Sequence, residues 1–559
     1  MKRDLTTRPA RRAARGLTAF LTAAALVGLT ACSSGGSSNN DDGADLQDSA
    51  AMSSFAVDTT FKASKPLEFS MLWTDWPDNP IEKSWQIFDE IKKRTNVSLK
   101  LTHVPFSDAK EKTSLLISSG DAPEIIPLTY TGDEVQYAAT QSVLPMSDYV
   151  KYMPNFQKYV KEWDLGKMID NLRQADGKYY MVPGLQEVSV PTFTLIIRQD
   201  VFKEVGYPNP QTWDELRDAL VKIKAKYPDS KPLADGFEGQ SMLNYAAHAF
   251  GTVAGWGYGN GTFFDKSTNK FIYAGASDGY KQMLEYFHGL AADGLLDTES
   301  FTQANDGAGT VTEKFAAGKV FAASGSNGTV NDFSTALDAT SAKGKYKVVE
   351  IAPPGGPAGN VVEPRNFWNG FMLTAKAKDD PNLKSMLQFL DWLYYSPEST
   401  DMLRWGIEGQ TYTKSGDTYK LNPEYKLKSF NINMDTGKTD IQTDLGFSNN
   451  VLAGSTESRA LKESYNAPAY VDYIDSVLST REPRDPFPPA PLDAAELEQA
   501  SLMATPLKDT VDTNTLKFIL GQRPLSQWDD YVKELKAQNM DGYVDLINKA
   551  ADRYAKDHG

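Results

Sequence analysis

Cysteine and histidine are scarce in this chain of 559 residues, which has one cysteine and four histidines. A single cysteine cannot form a disulfide within the chain. The sequence contains no His-Glu-x-x-His motif, no cysteine pair and no EF-hand loop, so no motif supports a metal site. We therefore expect neither a metal nor another cofactor.

The chain also lacks a net positive charge. The formal net charge is −15, whereas a protein that binds a phosphate backbone needs a cationic surface. We therefore expect no nucleic-acid partner. Long apolar segments are also missing, because no stretch beyond the first 31 residues is long and apolar enough to cross a bilayer.

Residues 1–31 have the layout of a secretory signal peptide. Basic residues precede an apolar run, Leu17 to Leu29, which is too short for a stable spanning helix. The residues Leu29-Thr-Ala-Cys32 resemble a bacterial lipobox, in which the cysteine thiol takes a diacylglyceryl group; the alternative is a chance cysteine near a cleavage site. We expect a lipid on Cys32 that anchors the protein at the extracellular face of the cell membrane. Residues 32–63, which begin rich in Ser, Gly, Asn and Asp, are expected to form a flexible tether.

Strand and helix patterns alternate over residues 65–130. Apolar residues at every second position predict strands, and apolar residues three and four positions apart predict helices. The order strand, helix, strand, helix, strand predicts a parallel sheet with crossovers. Ligands bind beyond the carboxyl ends of the strands in such sheets, and the ends predicted here carry Trp73, Asp75 and Trp76, then Gly120-Asp121, then Thr129-Tyr130. The predicted strands are 67–73, 97–101 and 125–130, and the predicted helices are 81–94 and 108–119.

One motif of hydrolases occurs in the chain. Gly275-Ala-Ser-Asp-Gly279 matches the pattern G-x-S-x-G. We interpret Ser277 or Asp278 instead as the cap of a helix that begins there. None of the four histidines lies in a glycine- or proline-framed loop of the sort that holds a triad base, so we do not expect a hydrolase.

Several segments occur along the chain in the order typical of one protein family. With the lipobox, they resemble bacterial extracellular solute-binding proteins of family 1, especially the LplA-like lipoproteins of carbohydrate ABC importers. The resemblance covers nearly the whole mature chain. Its segments are Ser118–Ile125, Asp176–Pro183, Arg198–Gly206 with Thr212–Glu215, Asp391–Glu398, Trp405–Gly409, and Phe518–Gly521 with Trp528.

The resemblance implies an α/β fold of the two-lobed, type II periplasmic-binding-protein kind. Each lobe is expected to be a mostly parallel sheet flanked by helices, with extra helices at the C-terminus. We expect residues 64–183 and 354–400 to form lobe I, and residues 184–353 and 401–559 to form lobe II. The chain is expected to pass between the lobes at Pro183–Gly184, at Pro353–Pro354 and near Trp405.

The resemblance also implies a function. The protein would capture an extracellular oligosaccharide in a cleft between the lobes and deliver it to the permease subunits of an ABC transporter, without catalysis and as a monomer. Two alternatives stay open. One is a receptor for peptides or other polar solutes, and the other is a secreted polysaccharide-degrading enzyme.

Candidate ligand-binding residues follow from the chemistry of sugars. Pyranose rings pack their C–H faces on aromatic rings, and their hydroxyls need paired donors and acceptors. Asp121 alternatively caps a helix end, Arg365 alternatively pairs with a surface acid, and Glu408 alternatively braces a crossing. Trp73, Trp85, Trp392 and Trp528 are expected in the core. The predicted ligand-binding residues are Asp75, Trp76, Asp121, Tyr130, Trp256, Arg365, Asn366, Trp368, Trp405 and Glu408.

Overall fold

A computed structural model describes residues 46–558, apart from Asp78, Lys83 and the short stretches 304–308, 430–431, 435–436 and 454–455. The predicted signal peptide and Cys32 lie outside the described residues. No helix in the described part of the chain combines the length and the apolar character needed to span a bilayer.

The strands of the described residues form two larger sheets and several two- or three-stranded ones. In chain order they are β1 (Leu67–Asp75), β2 (Val97–Pro105), β3 (Ile125–Thr129), β4 (Val182–Leu185), β5 (Thr194–Arg198), β6 (Leu233–Asp235), β7 (Thr262–Asp265), β8 (Lys270–Tyr273), β9 (Ala322–Gly325), β10 (Val348–Ile351), β11 (Val361–Val362), β12 (Phe367–Leu373), β13 (Tyr412–Ser415), β14 (Thr418–Leu421), β15 (Tyr425–Ser429), β16 (Ile432–Met434), β17 (Thr439–Asp440) and β18 (Glu482–Pro483).

Helices cover the sheets and make up most of the C-terminal part. In chain order they are α1 (Gln86–Thr95), α2 (Ala109–Ser119), α3 (Val135–Ala139), α4 (Pro154–Glu162), α5 (Gly166–Asp170), α6 (Gln199–Glu204), α7 (Trp213–Lys226), α8 (Gln240–Ala249), α9 (Asp278–Ala292), α10 (Gly309–Ala316), α11 (Asn327–Asp338), α12 (Leu383–Tyr395), α13 (Pro397–Trp405), α14 (Arg459–Ser464), α15 (Pro468–Thr480), α16 (Ala494–Ile519), α17 (Trp528–Ala537) and α18 (Met540–His558).

The first sheet has the strand order β2-β1-β3-β12-β4. β1 pairs in parallel with both β2 and β3, as the alternation of strands and helices predicts. β12 runs antiparallel to its neighbours β3 and β4, so four of the five strands share one direction. The three strands and two helices predicted for residues 65–130 are all present.

The second sheet has the strand order β10-β5-β9-β6. β5 runs antiparallel to β10 and β9, whereas β6 and β9 are parallel. Each sheet thus has one reversed strand that lies between two others. Two of the four pairings in the first sheet and two of the three in the second are antiparallel, so both sheets are mixed rather than mostly parallel. In both cases the reversed strand is the first to enter that sheet after the chain has left the other one.

Each sheet has its own apolar core. The first core includes Trp73, Trp85 and Trp392, and the second includes Trp528, so these four tryptophans occupy the core as predicted. The first core also includes side chains from 402–465, and the second includes side chains from 500–547. The lobe boundaries remain a prediction, and this packing favours placing residues 402–465 with lobe I.

The connections between the two sheets share a small core of their own. This third core contains Val188 and Val190 from the β4–β5 connection, Ala352 after β10, and side chains from 470–477 in α15. Tyr473 Oη donates to the Pro191 carbonyl at 2.7 Å. This contact and the packing of residues 402–465 in the first core favour a third connection around α15 rather than near Trp405.

The end of the predicted tether is packed rather than flexible. Phe61 is completely buried in the first core and meets Phe389 edge-to-face. The backbone N–H of Leu46 donates to the Tyr152 hydroxyl at 2.9 Å. The prediction of a tether is therefore wrong for residues 46–63, where apolar side chains among the polar ones bind the chain to the α12 region.

Candidate functional site

The carboxyl ends of the first sheet gather most of the predicted ligand-binding side chains. Because β12 runs against β1, β2, β3 and β4, the start of β12 lies beside the ends of the other strands. We call this side of the sheet the first edge. The predicted residues at the first edge are Asp75, Trp76, Tyr130, Arg365, Asn366 and Trp368.

Trp76 and Asp75 each have a partner near the end of β2. The Trp76 ring stacks on Phe106 with a centroid distance of 3.8 Å, and Phe106 is 49% exposed. Asp75 Oδ2 lies 3.1 Å from His103 Nδ1. The Trp76 Nε1–H group is buried and has no hydrogen-bond partner among the described residues. This corner combines an aromatic stack with a carboxylate and an unpaired N–H donor.

Arg365, Trp368 and Tyr130 form a second group at the first edge. The guanidinium carbon of Arg365 lies 4.4 Å from the centroid of the Trp368 ring. Trp368 meets the Tyr130 ring edge-to-face at 6.1 Å, and Tyr130 is 48% exposed. The group offers an exposed phenol and an indole whose ring is held in place by a cation.

The start of β12 is bound to the chain that leaves β4. The Arg365 backbone N–H donates to Ser189 Oγ at 2.7 Å. Asn366 Nδ2 donates to the Gln186 carbonyl at 3.3 Å, and the Gln186 N–H donates to the Asn366 carbonyl at 2.8 Å. Two connections between the sheets therefore lie side by side at the first edge and position Arg365 and Trp368.

The second sheet carries an aromatic group at the edge where β6 ends and β5 begins, which we call the second edge. Phe193 precedes β5, Phe237 follows β6, and both rings are partly exposed. Trp256 meets Phe193 edge-to-face at 5.0 Å and Phe237 at 5.2 Å, and it is 47% exposed. Trp256, a predicted ligand-binding residue, therefore presents an exposed ring that two phenylalanine rings support.

A buried carboxyl group shapes the turn that carries Phe237. Asp235 accepts the backbone N–H groups of Phe237 and Met242, each at 3.0 Å. Complete burial raises the pKa of Asp235 to about 7, although these N–H groups act in the opposite direction. The carboxyl group ties the end of β6 to the first turns of α8.

Two glycines bring the Trp256 loop close to α8. Gly255 has φ of 53°, and a Cβ there would lie 2.0 Å from the Gln240 carbonyl oxygen. A Cβ at Gly257 would lie 2.1 Å from Asn244 Oδ1. Side chains at these positions would push the loop off the helix, so the glycines fix where Trp256 stands.

A short polar chain links the two edges. Asn244 Nδ2 in α8 lies 3.3 Å from Glu363 Oε2, and the same oxygen lies 3.7 Å from Arg365 Nη1. Asn244 Oδ1 and Arg365 Nε are buried without a hydrogen-bond partner among the described residues. Buried polar atoms without partners are costly, and they are what a hydroxyl-bearing ligand would satisfy.

Three residues that were predicted to bind the ligand, Asp121, Glu408 and Trp405, are not part of either edge. Asp121 is exposed and precedes β3, so it lies toward the opposite, amino-terminal side of the sheet from Tyr130. The prediction treated the end of helix α2 as though it were a strand end. Glu408 is exposed in the turn before β13, where it pairs as an isolated bridge with Tyr412.

Trp405 is a core residue, and its predicted place in the cleft is wrong. Its side chain is 0% exposed and stacks on Tyr419 with an interplanar angle of 15°. Its Nε1–H donates to Ser464 Oγ at 3.1 Å. Gly406 and Gly409 follow Trp405 and favoured an open loop, but the segment β13–β14 covers the indole.

Several residues at the two edges escaped the sequence-based prediction. The criterion that selected Tyr130, an aromatic or polar side chain beside a strand end, also fits three of them. Phe106 follows β2, Phe193 precedes β5 and Phe237 follows β6. Asn244 and Glu363 carry no such signal, because their roles depend on how α8 packs against the connection that leads to β12.

Ser277 performs the predicted capping role. Its Oγ accepts the N–H of Tyr280 at 3.2 Å at the start of α9 and donates to the Ala274 carbonyl at 2.7 Å. Within the described residues there is no group of three or more His, Cys, Asp or Glu side chains that could hold a metal ion.

Similar proteins span nearly the whole chain. The fructooligosaccharide ABC transporter substrate-binding protein FusA of Streptococcus pneumoniae is 24% identical over 96% of this chain and 97% of its own length. The polygalacturonan/rhamnogalacturonan-binding protein YtcQ of Bacillus subtilis is 23% identical over 82% of this chain and 89% of its own.

Solved structures share the fold. The alginate-binding protein AlgQ2, in a crystal structure without calcium ion, superposes with a TM-score of 0.65 at 19% identity, covering 88% of this chain and 99% of that one. The predicted type II, two-lobed α/β fold is thereby confirmed. Residues 86–411, more than half of the chain, match the model of a family of bacterial extracellular solute-binding proteins. The chain belongs to the bacterial extracellular solute-binding proteins.

Proposed function

We propose that this protein captures an extracellular oligosaccharide between the first and second edges and delivers it unchanged to the permease subunits of an ABC importer. The observation that carries the proposal is the exposed aromatic group at each edge: Tyr130 with Trp368 on one sheet, and Trp256 with two phenylalanines on the other. Rings of this kind pack against the C–H faces of sugars.

The polar groups beside the rings suit a ligand with many hydroxyls. Asn366, Arg365 and Glu363 lie at the first edge, and Asn244 reaches toward them from α8. Together they supply both donors and acceptors. The connections between the sheets form a compact third core, about which the two lobes would close on the ligand.

The relatives support a carbohydrate as the ligand. Two of them are named for binding fructooligosaccharide and polygalacturonan or rhamnogalacturonan. We further propose that Cys32 carries the lipid that holds the protein, as a monomer, at the outer face of the cell membrane. Radiolabelled palmitate incorporation that is lost in Cys32→Ala would support the anchor, and equal incorporation in both proteins would contradict it.

A thermal-shift screen tests the ligand class. A ligand that binds only the native state raises the melting temperature, so a panel of oligosaccharides and peptides can be compared directly. We expect oligosaccharides to stabilise the protein and peptides to leave it unchanged. The reverse result would favour the peptide receptor.

Product analysis tests the absence of catalysis. Each oligosaccharide that stabilises the protein is incubated with it and the mixture is analysed for shorter fragments. We expect the ligand to be recovered intact. Steady product release that a single Asp or Glu substitution abolishes would contradict the receptor and establish an enzyme.

A further inference from the structure

A cluster of buried cations lies beside the aromatic residues of the first edge. Arg404 Nη2 lies 2.9 Å from Glu457 Oε1, and Lys462 Nζ lies 3.7 Å from Glu457 Oε2. The side chains of Arg404, Lys462 and Glu457 are only 10%, 13% and 7% exposed. One carboxylate thus serves two buried cations, which leaves positive charge in excess.

Arg365 adds a third cation to this cluster. Its only described carboxylate partner, Glu363, is 3.7 Å away and also accepts from Asn244. Burial lowers the pKa of the Lys462 ammonium; Glu457 opposes this, and the positive charges of Arg365 and Arg404 lower it further. Lys462 is therefore close enough to Arg365 and to Arg404 to be repelled by each. The strand end 185–187 joins the two parts of the cluster, because the Glu457 N–H donates to the Leu185 carbonyl and the Gln186 N–H donates to the Asn366 carbonyl.

The cluster belongs to the edge where the ligand is expected. Glu457 pairs with the end of β4, because its N–H donates to the Leu185 carbonyl at 2.9 Å and its carbonyl accepts the Glu187 N–H at 3.1 Å. β4 and β12 are neighbours in the first sheet, and Arg365 lies at the start of β12 over the Trp368 ring.

The same cluster reaches the second sheet. Asn466, just beyond α14, donates from Nδ2 to the Lys462 carbonyl at 2.6 Å. Its Oδ1 accepts from Asn327, the first residue of α11, which follows the end of β9. Lys462 lies between elements of both sheets.

We infer that Arg365 and Lys462 form a subsite for a carboxylate group, so that the ligand is an oligosaccharide containing uronic acid rather than a neutral one. This inference rests on the proposed function and specifies its substrate class. In a chain of net charge −15, long-range attraction does not favour an anion. A local excess of buried positive charge does, because a bound carboxylate would offset repulsion that a neutral sugar leaves uncompensated.

Matched pairs of ligands test the inference on the intact mature protein. Trisaccharides of galacturonate, glucuronate and mannuronate are each compared with their methyl esters by calorimetric titration. The two members of a pair differ in charge and in the methyl group that each ester carries. We expect at least one acid to bind about tenfold or more tightly than its ester, as a charge-assisted contact implies.

Variants locate the effect. Arg365→Gln and Lys462→Met are each expected to weaken binding of the acid about tenfold or more beyond any loss that they cause for its ester. Arg459→Gln is the matched control, since Arg459 lies on the same helix but pairs with Glu463 and Asp475. If Lys462→Met does not fold, Arg365→Gln decides, because its side chain is 24% exposed.

The outcomes separate this inference from the proposed function. Binding of neutral oligosaccharides without binding of any acid overturns the carboxylate subsite and leaves the sugar receptor intact. The inference is also overturned if no acid binds better than its ester, or if Arg365→Gln weakens acid and ester binding by the same factor. Failure of every acid and every neutral sugar to bind overturns both.

Discussion

Two groups of aromatic rings look alike in the sequence and differ completely in the structure. Trp256 and Trp405 both lie beside glycines, and both were predicted to face the ligand. Trp256 is 47% exposed at the second edge, whereas Trp405 is 0% exposed in the first core. The adjacent glycines therefore do not decide whether an indole is open.

The difference lies in what covers each ring. Trp256 is supported from one side by Phe193 and Phe237, and its loop packs on α8 through two glycines. Trp405 is covered by the β13–β14 hairpin, whose Tyr412 and Tyr419 pack on its ring. Whether such a ring is buried therefore depends on whether a later segment of the chain folds back over it.

The largest expected effect is on stability at Trp405. Trp405→Ala removes a fully buried indole and leaves a cavity, so the free energy of unfolding should fall by about 3–5 kcal/mol. Trp256→Ala is the matched control, with a smaller loss of about 2 kcal/mol, because about half of the residue is already in solvent. Denaturant titration measures both, and similar losses in the two variants would contradict the comparison.

A pH-dependent effect of similar size is expected beneath the Trp256 loop. Burial lowers the pKa of His248, in α8, from its ordinary 6.5 to about 4. The unfolded chain therefore binds a proton at higher pH than the folded one, and the stability that this neutral histidine confers is lost as pH falls from 6.5 through 4. The loss amounts to about 3 kcal/mol.

Comparing variants separates the contribution of His248 to the pH dependence of stability from that of the buried acids. Asp235 and Asp391 have pKa values raised by burial to about 7, so their contributions have the opposite sign. Relative to the pH dependence of the unmodified protein, His248→Leu should remove about 3 kcal/mol of destabilisation on going from pH 6.5 to 4, whatever the other groups contribute. His288→Gln, at a partly exposed histidine, should keep it. An unchanged slope in His248→Leu would refute the assignment.

Affinity should respond at the exposed rings and not at the buried one. Trp368→Ala and Trp256→Ala are each expected to weaken binding of the stabilising oligosaccharide by about 1–3 kcal/mol, as ring contacts in binding sites do. A third variant, Trp405→Ala, should bind with unchanged affinity at temperatures where it is folded. Calorimetric titration measures this, and a loss confined to Trp405→Ala would reverse the comparison.

The smallest expected effect is at Asp121. This carboxylate lies at the amino-terminal side of the first sheet, away from Tyr130, so Asp121→Asn should change oligosaccharide affinity by less than about 0.5 kcal/mol. Titration of this variant beside Trp368→Ala checks the assignment of the first edge. A loss as large as that of Trp368→Ala would mean that the ligand binds at the other side of the sheet.

Local patterns were sufficient for the elements and for part of the site. The period of apolar residues predicted β1, β2, β3 and the two intervening helices, and the strand-end rule led to Trp76 and Tyr130. The family segments predicted the two-lobed fold. These features depend on neighbours in the sequence, which a single chain displays directly.

Contacts between residues far apart in the chain could not be predicted from the sequence. Burial of Trp405 depends on a hairpin that follows it, and the third connection near α15 depends on Tyr473 reaching Pro191, 282 positions away in the chain. The hydroxyl partner of the Arg365 backbone, Ser189, and the carbonyl partner of Asn366, Gln186, likewise come from a separate segment. No pattern of adjacent residues reports such contacts, so the polar partners of these residues, and the parts played by Asn244 and Glu363, had to come from the structure.

A crystal structure of the protein with its stabilising oligosaccharide tests the central claim most directly. We predict that the Trp368 and Trp256 rings both lie within about 4 Å of the same bound sugar, one from each sheet. A sugar that contacts only one of the two edges, or that lies away from both, would contradict the account.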